Sequence, residues 1–150
     1  MRLYSFVNSV YLSDKQLGIQ TAHLVHTMSD KYEDAVESIP VAGSHPVEDF
    51  NFARGHYRLW SRKHKTIYVC QGGDCEALWE RYEKIRSLAR PIGLPYARFY
   101  ESKGALNGAL TAVGLVVPET WYTPVDTLPG SLVTYETHPL REMILKARWA

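Results

Sequence analysis

The apolar run Leu110–Val117 is the sequence feature that most restricts how this chain can fold. It reads LTAVGLVV, and eight residues is an ordinary length for a strand but a short one for a helix. A strand without regular polar alternation is typical of one that is buried on both faces. We therefore expect other elements to cover both sides of the sheet that contains it.

Three further segments are predicted as strands because β-branched and aromatic residues dominate them: Leu3–Asn8, Thr66–Gln71 and Tyr96–Glu101. The link from the last of these to Leu110, residues 102–109, is shorter than the roughly twelve residues that a parallel crossover needs. These two strands should therefore be antiparallel, or lie apart in a mixed sheet. Gly104, Asn107 and Gly108 favour sharp bends in the link, which suits a loop at the rim of a site.

Helical patterns follow the first two strands and recur near the end of the chain. Ser13 or Asp14 can cap a first helix, whose apolar side is formed by Leu17, Thr21, Leu24 and Met28. A second helix starts after the turn Gly72-Gly73-Asp74, and a third starts at His138-Pro139. The glycine pair could instead cradle a phosphate, but Asp74 would occupy the same amides, so a plain turn is favoured. Together these elements predict an α/β fold: a three-layer mixed sheet of about four strands with helices on both faces.

Composition indicates one domain over residues 1–150, since 45% hydrophobic residues can fill a normal core. We expect an irregular excursion at about 32–65 and a C-terminal extension at about 119–150. The net charge of +1 excludes a globally basic nucleic-acid binder. Without an apolar run of membrane-spanning length or a cleavable signal, we expect a soluble, cytoplasmic protein. The spacing of Cys70 and Cys75 suits neither a zinc site nor a disulfide, so both should be reduced thiols.

A polar stripe lies beside the apolar side of the first helix. It consists of Gln16, Gln20, His23 and Thr27, which share one face at helical spacing. A histidine on such a stripe can exchange protons near neutral pH, so the stripe is a candidate catalytic surface. An ordinary solvated helix face is the alternative.

A second candidate surface lies in the basic stretch RGHYRLWSRKHK, residues 54–65. If this stretch is helical, Arg54, Arg58 and Arg62 line one face, where their guanidinium groups suit phosphates. Tyr57 and Trp60 lie among them and could stack on a base. Alternatively, the arginines are solvated side chains that lie over an apolar surface.

Two motifs and the element order carry a resemblance to a known family. The first helix contains Gln20, Thr21, Ala22 and His23, which match a Gln-x-Ala-His pattern, and Gly93, Leu94 and Pro95 match a Gly-Leu-Pro turn. With the glycine loop and the apolar strand, the chain from about Leu3 to Pro118 resembles the type 2 peptidyl-tRNA hydrolases. The helix also resembles that of small bacteriophage-encoded proteins with this fold. The family's catalytic lysine aligns with Gln16, whereas this chain has Lys15, and its loop aspartate corresponds at best to Glu101.

The resemblance implies a metal-independent hydrolase without a cofactor, acting on peptidyl-tRNA or another ester linked to a nucleotide or RNA. His23 would be the general base or would orient water, and Lys15 or Lys103 would stabilise the oxyanion. Glu101 would orient His23 or the lysine, and Thr111 could position water. The polar stripe, the basic stretch and the loop residues Asn107 and Gly108 would hold the substrate.

The family also implies a homodimer, to which the aromatic residues of the turn-rich tail, Trp121, Tyr122 and Trp149, could contribute. Two other functions stay open. A phage protein of this kind could cleave or sequester a small cyclic nucleotide that signals host immunity, or the chain could bind a nucleotide without turning it over. The family's catalytic lysine is displaced here, and the threonine that follows its loop aspartate has no clear counterpart, which favours a binding module. The presence of His23 favours an enzyme.

Overall fold

The computed structural model describes residues 1–11, 13–33, 46–122 and 138–147. The strands of this described part are β1 (Arg2–Asn8), β2 (Thr66–Gly73), β3 (Tyr96–Tyr100) and β4 (Leu110–Val117). Its α-helices are α1 (Asp14–Tyr32), α2 (Pro46–Leu59), α3 (Cys75–Ala89), α4 (Lys103–Leu106) and α5 (Pro139–Leu145). All four predicted strands are confirmed, and so are the three predicted helices.

The four strands form one mixed sheet in the order β2-β1-β4-β3. Strands β1 and β2 are parallel, whereas β4 runs antiparallel to both of its neighbours, β1 and β3. The short link between β3 and β4 therefore joins two adjacent antiparallel strands, as its length allowed. The carboxyl ends of β1 and β3 and the amino end of β4 consequently lie at the same edge of the sheet.

Two hydrophobic cores lie on opposite faces of the sheet, which gives the predicted three layers. The first core joins the sheet to α3 and α5 through Leu78, Ile85, Leu140 and Ile144. The second joins it to α1 and α2 through Leu24, Met28, Ala53 and Tyr57. Every residue of β4 is buried, which confirms the strand expected to be covered on both sides.

The first helix begins as its sequence predicts. The Ser13 side chain accepts a hydrogen bond from the Gln16 backbone amide at 3.3 Å, so it caps the first turn. At the other end of α1, Tyr32 and Lys31 contact Tyr96, the first residue of β3. The Tyr32 hydroxyl donates to the Tyr96 carbonyl at 3.1 Å and accepts from the Tyr96 amide at 3.0 Å, while Lys31 Nζ donates to the same carbonyl at 3.0 Å. Because β3 is an outer strand, these bonds satisfy backbone groups that no neighbouring strand reaches.

The excursion expected to be irregular at about 32–65 is helical from residue 46 onward. Helix α2 continues into a π-helical turn, Trp60–His64, which ends at Lys65 in a left-handed conformation. The segment is ordered because its aromatic side chains pack under α1, a tertiary contact that local sequence patterns do not reveal. Residues 34–45 lie outside the described part of the chain.

The C-terminal extension also contributes to the core. Trp121 is 2% exposed and belongs to the core beneath α3 and α5, so it is not a surface residue awaiting a partner. Tyr122 is half-buried, with the Arg2 guanidinium 3.7 Å from its ring centre. Trp149 lies outside the described residues. The homodimer therefore stays a prediction, without the support that these two aromatic residues were expected to give.

None of the helices in the described ranges is long and apolar enough to cross a membrane.

Candidate active site

A hydrogen-bonded network joins α1 to the edge of the sheet where β3 ends and β4 begins. Thr111 Oγ1 donates to Gln20 Oε1 at 2.8 Å, and Gln20 Nε2 donates to Glu101 Oε1 at 2.6 Å. Gln20 is 3% exposed and Thr111 is fully buried. The amide of Gln20 therefore has both of its ends engaged, which fixes its orientation and that of the carboxylate it contacts.

Tyr11, in the connection between β1 and α1, holds the same carboxylate. Its hydroxyl donates to Glu101 Oε1 at 3.3 Å. Burial, and next the negative charge of Glu101, raise the pKa of the Tyr11 phenol, so the proton stays on the tyrosine in the physiological range. Among the described residues, the second carboxylate oxygen of Glu101 has no hydrogen-bond partner. The carboxylate is thus fixed through one oxygen and open through the other.

His23 lies one helical turn after Gln20 and faces the same strand. Its imidazole stacks on the Phe99 ring, with centroids 4.7 Å apart and an interplanar angle of 13°. His23 is nevertheless exposed to solvent. Two contacts therefore join α1 to β3 and to the residue after it, one from Gln20 to Glu101 and one from His23 to Phe99. We call these four residues, together with Tyr11, the seam. The same helix face thus contacts the end of β3 through a solvent-accessible imidazole and through an oriented carboxylate, two groups that can serve general acid or base catalysis.

The remaining residues of the predicted polar stripe do not join this seam. Gln16 is exposed, and its side chain accepts from the Ser13 hydroxyl at 3.1 Å. The Thr27 hydroxyl donates to the His23 carbonyl at 3.0 Å, a bond within the helix itself. The stripe was expected to present one polar surface, but only its two central residues face the sheet.

The predicted lysines and loop residues form no side-chain hydrogen bond or ion pair to Gln20, His23 or Glu101 within the described ranges. Lys15 and Lys103 are both exposed, and neither forms an ion pair within the described ranges. Asn107 and Gly108 have φ angles of 51° and 73°, so they close the turn after α4 in the left-handed region. The sharp bend expected at these two residues is confirmed, whereas Gly104 lies within α4.

Two of the three predicted arginines, Arg54 and Arg62, contact the other end of α1, whereas Arg58 has no hydrogen bond or ion pair to it within the described part of the chain. Arg54 Nη2 donates to the Glu33 carbonyl at 3.4 Å, and Arg62 Nε lies 3.9 Å from Glu33 Oε1. The carboxyl end of a helix attracts cations, so part of this charge stabilises α1. From Gln20 to Glu33 the helix rises about 20 Å at 1.5 Å per residue, which separates the arginines from the seam.

Two predicted roles are wrong because the side chains are buried. Tyr57 and Trp60 are each 3% exposed; Tyr57 stacks on Tyr32, and Trp60 Nε1 donates to the Thr66 carbonyl at 2.9 Å. They are core residues and do not offer a face for stacking a base. The Thr111 hydroxyl likewise cannot position a water molecule for catalysis, since it is buried and donates to Gln20.

Two residues of the seam do not emerge from the sequence, Tyr11 and Phe99. Phe99 could have been inferred from strand alternation, because residues two apart on a strand share a face and Phe99 lies two before Glu101. Tyr11 lies in a connection without regular structure, where no periodicity indicates which way a side chain points.

Among the residues that the structure describes, no group of three or more His, Cys, Asp or Glu side chains is arranged to hold a metal ion. Compared with known proteins, the chain matches no protein-family model and no curated protein.

Proposed function

We propose that this protein is a metal-independent hydrolase that cleaves an ester linking an acyl group to RNA, as the type 2 peptidyl-tRNA hydrolases do. The observation that most supports the proposal is that α1 contacts β3 and the residue after it both through Glu101, which has one carboxylate oxygen without a partner among the described residues, and through an accessible His23. In this proposal the fold is that of the same family, which agrees with the element order and with the position of the Gln-x-Ala-His segment on α1.

The chemistry requires a proton acceptor for water and a positive group for the developing oxyanion. His23 would accept the proton, while stacking on Phe99 would hold the ring in place. Glu101, held by Gln20 and Tyr11, would bind the substrate or the attacking water through its open oxygen. Lys103, in the short helix that follows Glu101, would approach the oxyanion when the substrate is bound.

The distance of about 20 Å along α1 between the seam and the arginines favours RNA over a small nucleotide as the substrate. A dinucleotide at the seam would not reach Arg54 or Arg62. An acceptor stem, however, is long enough to contact both, with its ester at His23 and its phosphates at the end of α1.

The direct test incubates the purified protein with N-blocked aminoacyl-tRNA in the presence of a chelator and measures release of the acyl group. His23→Ala should lower the rate by about a hundredfold or more, the usual effect of losing a general base. His26→Ala is the matched control, because His26 lies on the same helix with its side chain 78% exposed and near Asp30 of that helix. It should retain the parent rate.

A triple alanine variant of Arg54, Arg58 and Arg62 separates the substrate classes. With an RNA substrate, affinity should fall and become less dependent on salt, by about one unit of slope for each phosphate that the variant no longer binds. With a small nucleotide ester, the same variant should behave as the parent. If the parent protein binds a nucleotide or RNA but returns it intact, the chain is a binding module and the proposal of hydrolysis is wrong.

A further inference from the structure

A pocket lies on the opposite face of the sheet from α1. It is a pocket of about 480 Å³ between α3 and α5, next to the carboxyl end of β2. Pockets of a few hundred cubic ångströms are typical of sites for small molecules. Because α3 and α5 pack on one face of the sheet and α1 on the other, the pocket is separate from the candidate active site.

The charged lining of the pocket is predominantly positive. It consists of Arg81, Lys84, Lys146 and Glu142. Three cationic side chains against one carboxylate leave an excess of two positive charges among the described lining residues. The carboxylate is itself engaged, since Glu142 forms an ion pair with Lys146. Within the described part of the chain, Arg81 forms no ion pair, and Lys84 forms none either, although the pKa of the Glu142 carboxyl is lowered by Lys146 and, to a smaller extent, by the charge of Lys84.

Arg81 is held in a position that leaves donors unused. Its guanidinium carbon lies 4.4 Å from the centre of the Phe6 ring, which is a favourable contact between a cation and an aromatic ring. Its Nε atom is buried without a hydrogen-bond partner among the described residues. A buried donor of this kind is costly unless it finds an acceptor. The described residues give the rest of the Arg81 guanidinium no hydrogen bond either, and because Arg81 lines the pocket, its terminal N–H groups are the donors that we expect an anion there to engage.

We propose that this pocket binds the phosphate group of a small molecule. A phosphate carries close to two negative charges and three acceptor oxygens, which matches the excess charge and the several donors of the lining. A carboxylate carries only one charge and would leave part of the lining uncompensated. The guanidinium of Arg81 would contact the phosphate from the floor of the pocket, and the ammonium groups of Lys84 and Lys146 from its rim.

The test is a calorimetric titration of the protein with pyrophosphate, with acetate at equal ionic strength as the monovalent comparison. The parent protein should bind pyrophosphate and not acetate. Arg81→Met should weaken binding by about tenfold or more, as expected for removing a partly buried partner of a charged group. Arg86→Gln is the control on the same helix, because Arg86 pairs with Glu83 and does not line the pocket.

Two exposed variants keep the test decisive if Arg81→Met unfolds. Lys84→Gln removes one positive charge and should weaken binding several-fold. Glu142→Gln removes the one acid of the described lining, frees Lys146 and should strengthen binding several-fold. Equal affinity of the parent, Lys84→Gln and Glu142→Gln would overturn the proposal, as would a parent protein that binds acetate as well as pyrophosphate.

Discussion

Gln20 shows how a single polar residue can join a helix to the edge of a sheet through its side chain alone. It lies on the first helix, yet its side chain contacts the residue after β3 and the second residue of β4. Replacing it with an apolar residue leaves the buried Thr111 hydroxyl without its acceptor and leaves Glu101 with Tyr11 as its one remaining donor among the described residues. The loss therefore includes the cost of one unsatisfied buried group as well as the two hydrogen bonds.

We predict that Gln20→Met lowers the free energy of unfolding by about 1–3 kcal/mol, the usual cost of leaving a buried polar group unpaired. Chemical denaturation monitored by circular dichroism measures the change. Gln16→Met is the control, since it makes the same substitution at an exposed position of the same helix and should alter stability by less than about 0.5 kcal/mol. Equal effects of the two variants would show that the network does not stabilise the fold.

At the scale of elements, the strands and the first helix could be predicted because their signals are local. The Ser13 cap, the apolar side of α1 and the unbroken run of β4 each depend on neighbouring residues. Helix α2 is less clear from sequence, because the residues that order it, such as Tyr57, pack against α1. The same limit explains why sequence alone suggests a ligand-stacking role for Tyr57 and Trp60.

Some residues of the candidate site could be predicted from the sequence, but Tyr11, Phe99 and the geometry of the site could not. Motif resemblance pointed to Gln20, His23, Glu101 and Thr111, and the structure brings three of them into one network with His23 beside it. Helical spacing could not show that Gln20 turns inward while Gln16 stays in solvent. That difference depends on which turn of α1 lies against the end of β3, and this is decided by tertiary packing and not by helical spacing.

Gly114 tests how closely α1 and β1 pack on β4, and Gly18 provides a comparison at an open position. A Cβ atom at Gly114 would lie 2.5 Å from the Tyr4 carbonyl oxygen and 2.8 Å from Leu24 Cδ2, so the backbone must move to accept it. We predict that Gly114→Ala lowers the free energy of unfolding by about 1–3 kcal/mol. Gly18, inside α1, has no atom within 4 Å of such a Cβ. Gly18→Ala should therefore raise stability by about 0.5–1 kcal/mol, because alanine favours a helix interior.

Thermal unfolding of both variants and the parent gives the comparison. The opposite signs separate close packing from a general effect of adding a methyl group. A stable Gly114→Ala protein would mean that β1 and β4 can move apart more easily than their contacts indicate.

At the scale of the molecule, stability should depend on pH through Lys31. Burial, together with the positive charges of Arg90 and Arg98, lowers the pKa of Lys31 to about 8, compared with 10.5 for an ordinary lysine. Between these two values the unfolded chain holds a proton that the folded protein has released. The free energy of unfolding contributed by Lys31 therefore rises with pH above about 8 and levels off near 10.5.

We predict that the parent protein gains stability relative to Lys31→Met between pH 8 and pH 10, by on the order of 1 kcal/mol per pH unit inside that window. Denaturant unfolding of both proteins at pH 7, 8, 9 and 10 measures the difference and cancels the contribution of other titrating groups. The exposed Lys63→Met variant controls for the loss of one positive charge from the chain. Parallel pH profiles of the parent and Lys31→Met would contradict the prediction.

The bonds from α1 to Tyr96 have a consequence for how this protein meets other copies of itself. An outer strand with free amide and carbonyl groups is a template on which an extended segment of another molecule can add, and such additions start aggregation. Here the tyrosine and lysine at the end of α1 already occupy the backbone groups of the first residue of β3. An incoming strand would have to displace the helix before it could align from that residue. The helix that carries His23 therefore also hinders the addition of a strand at the first residue of β3.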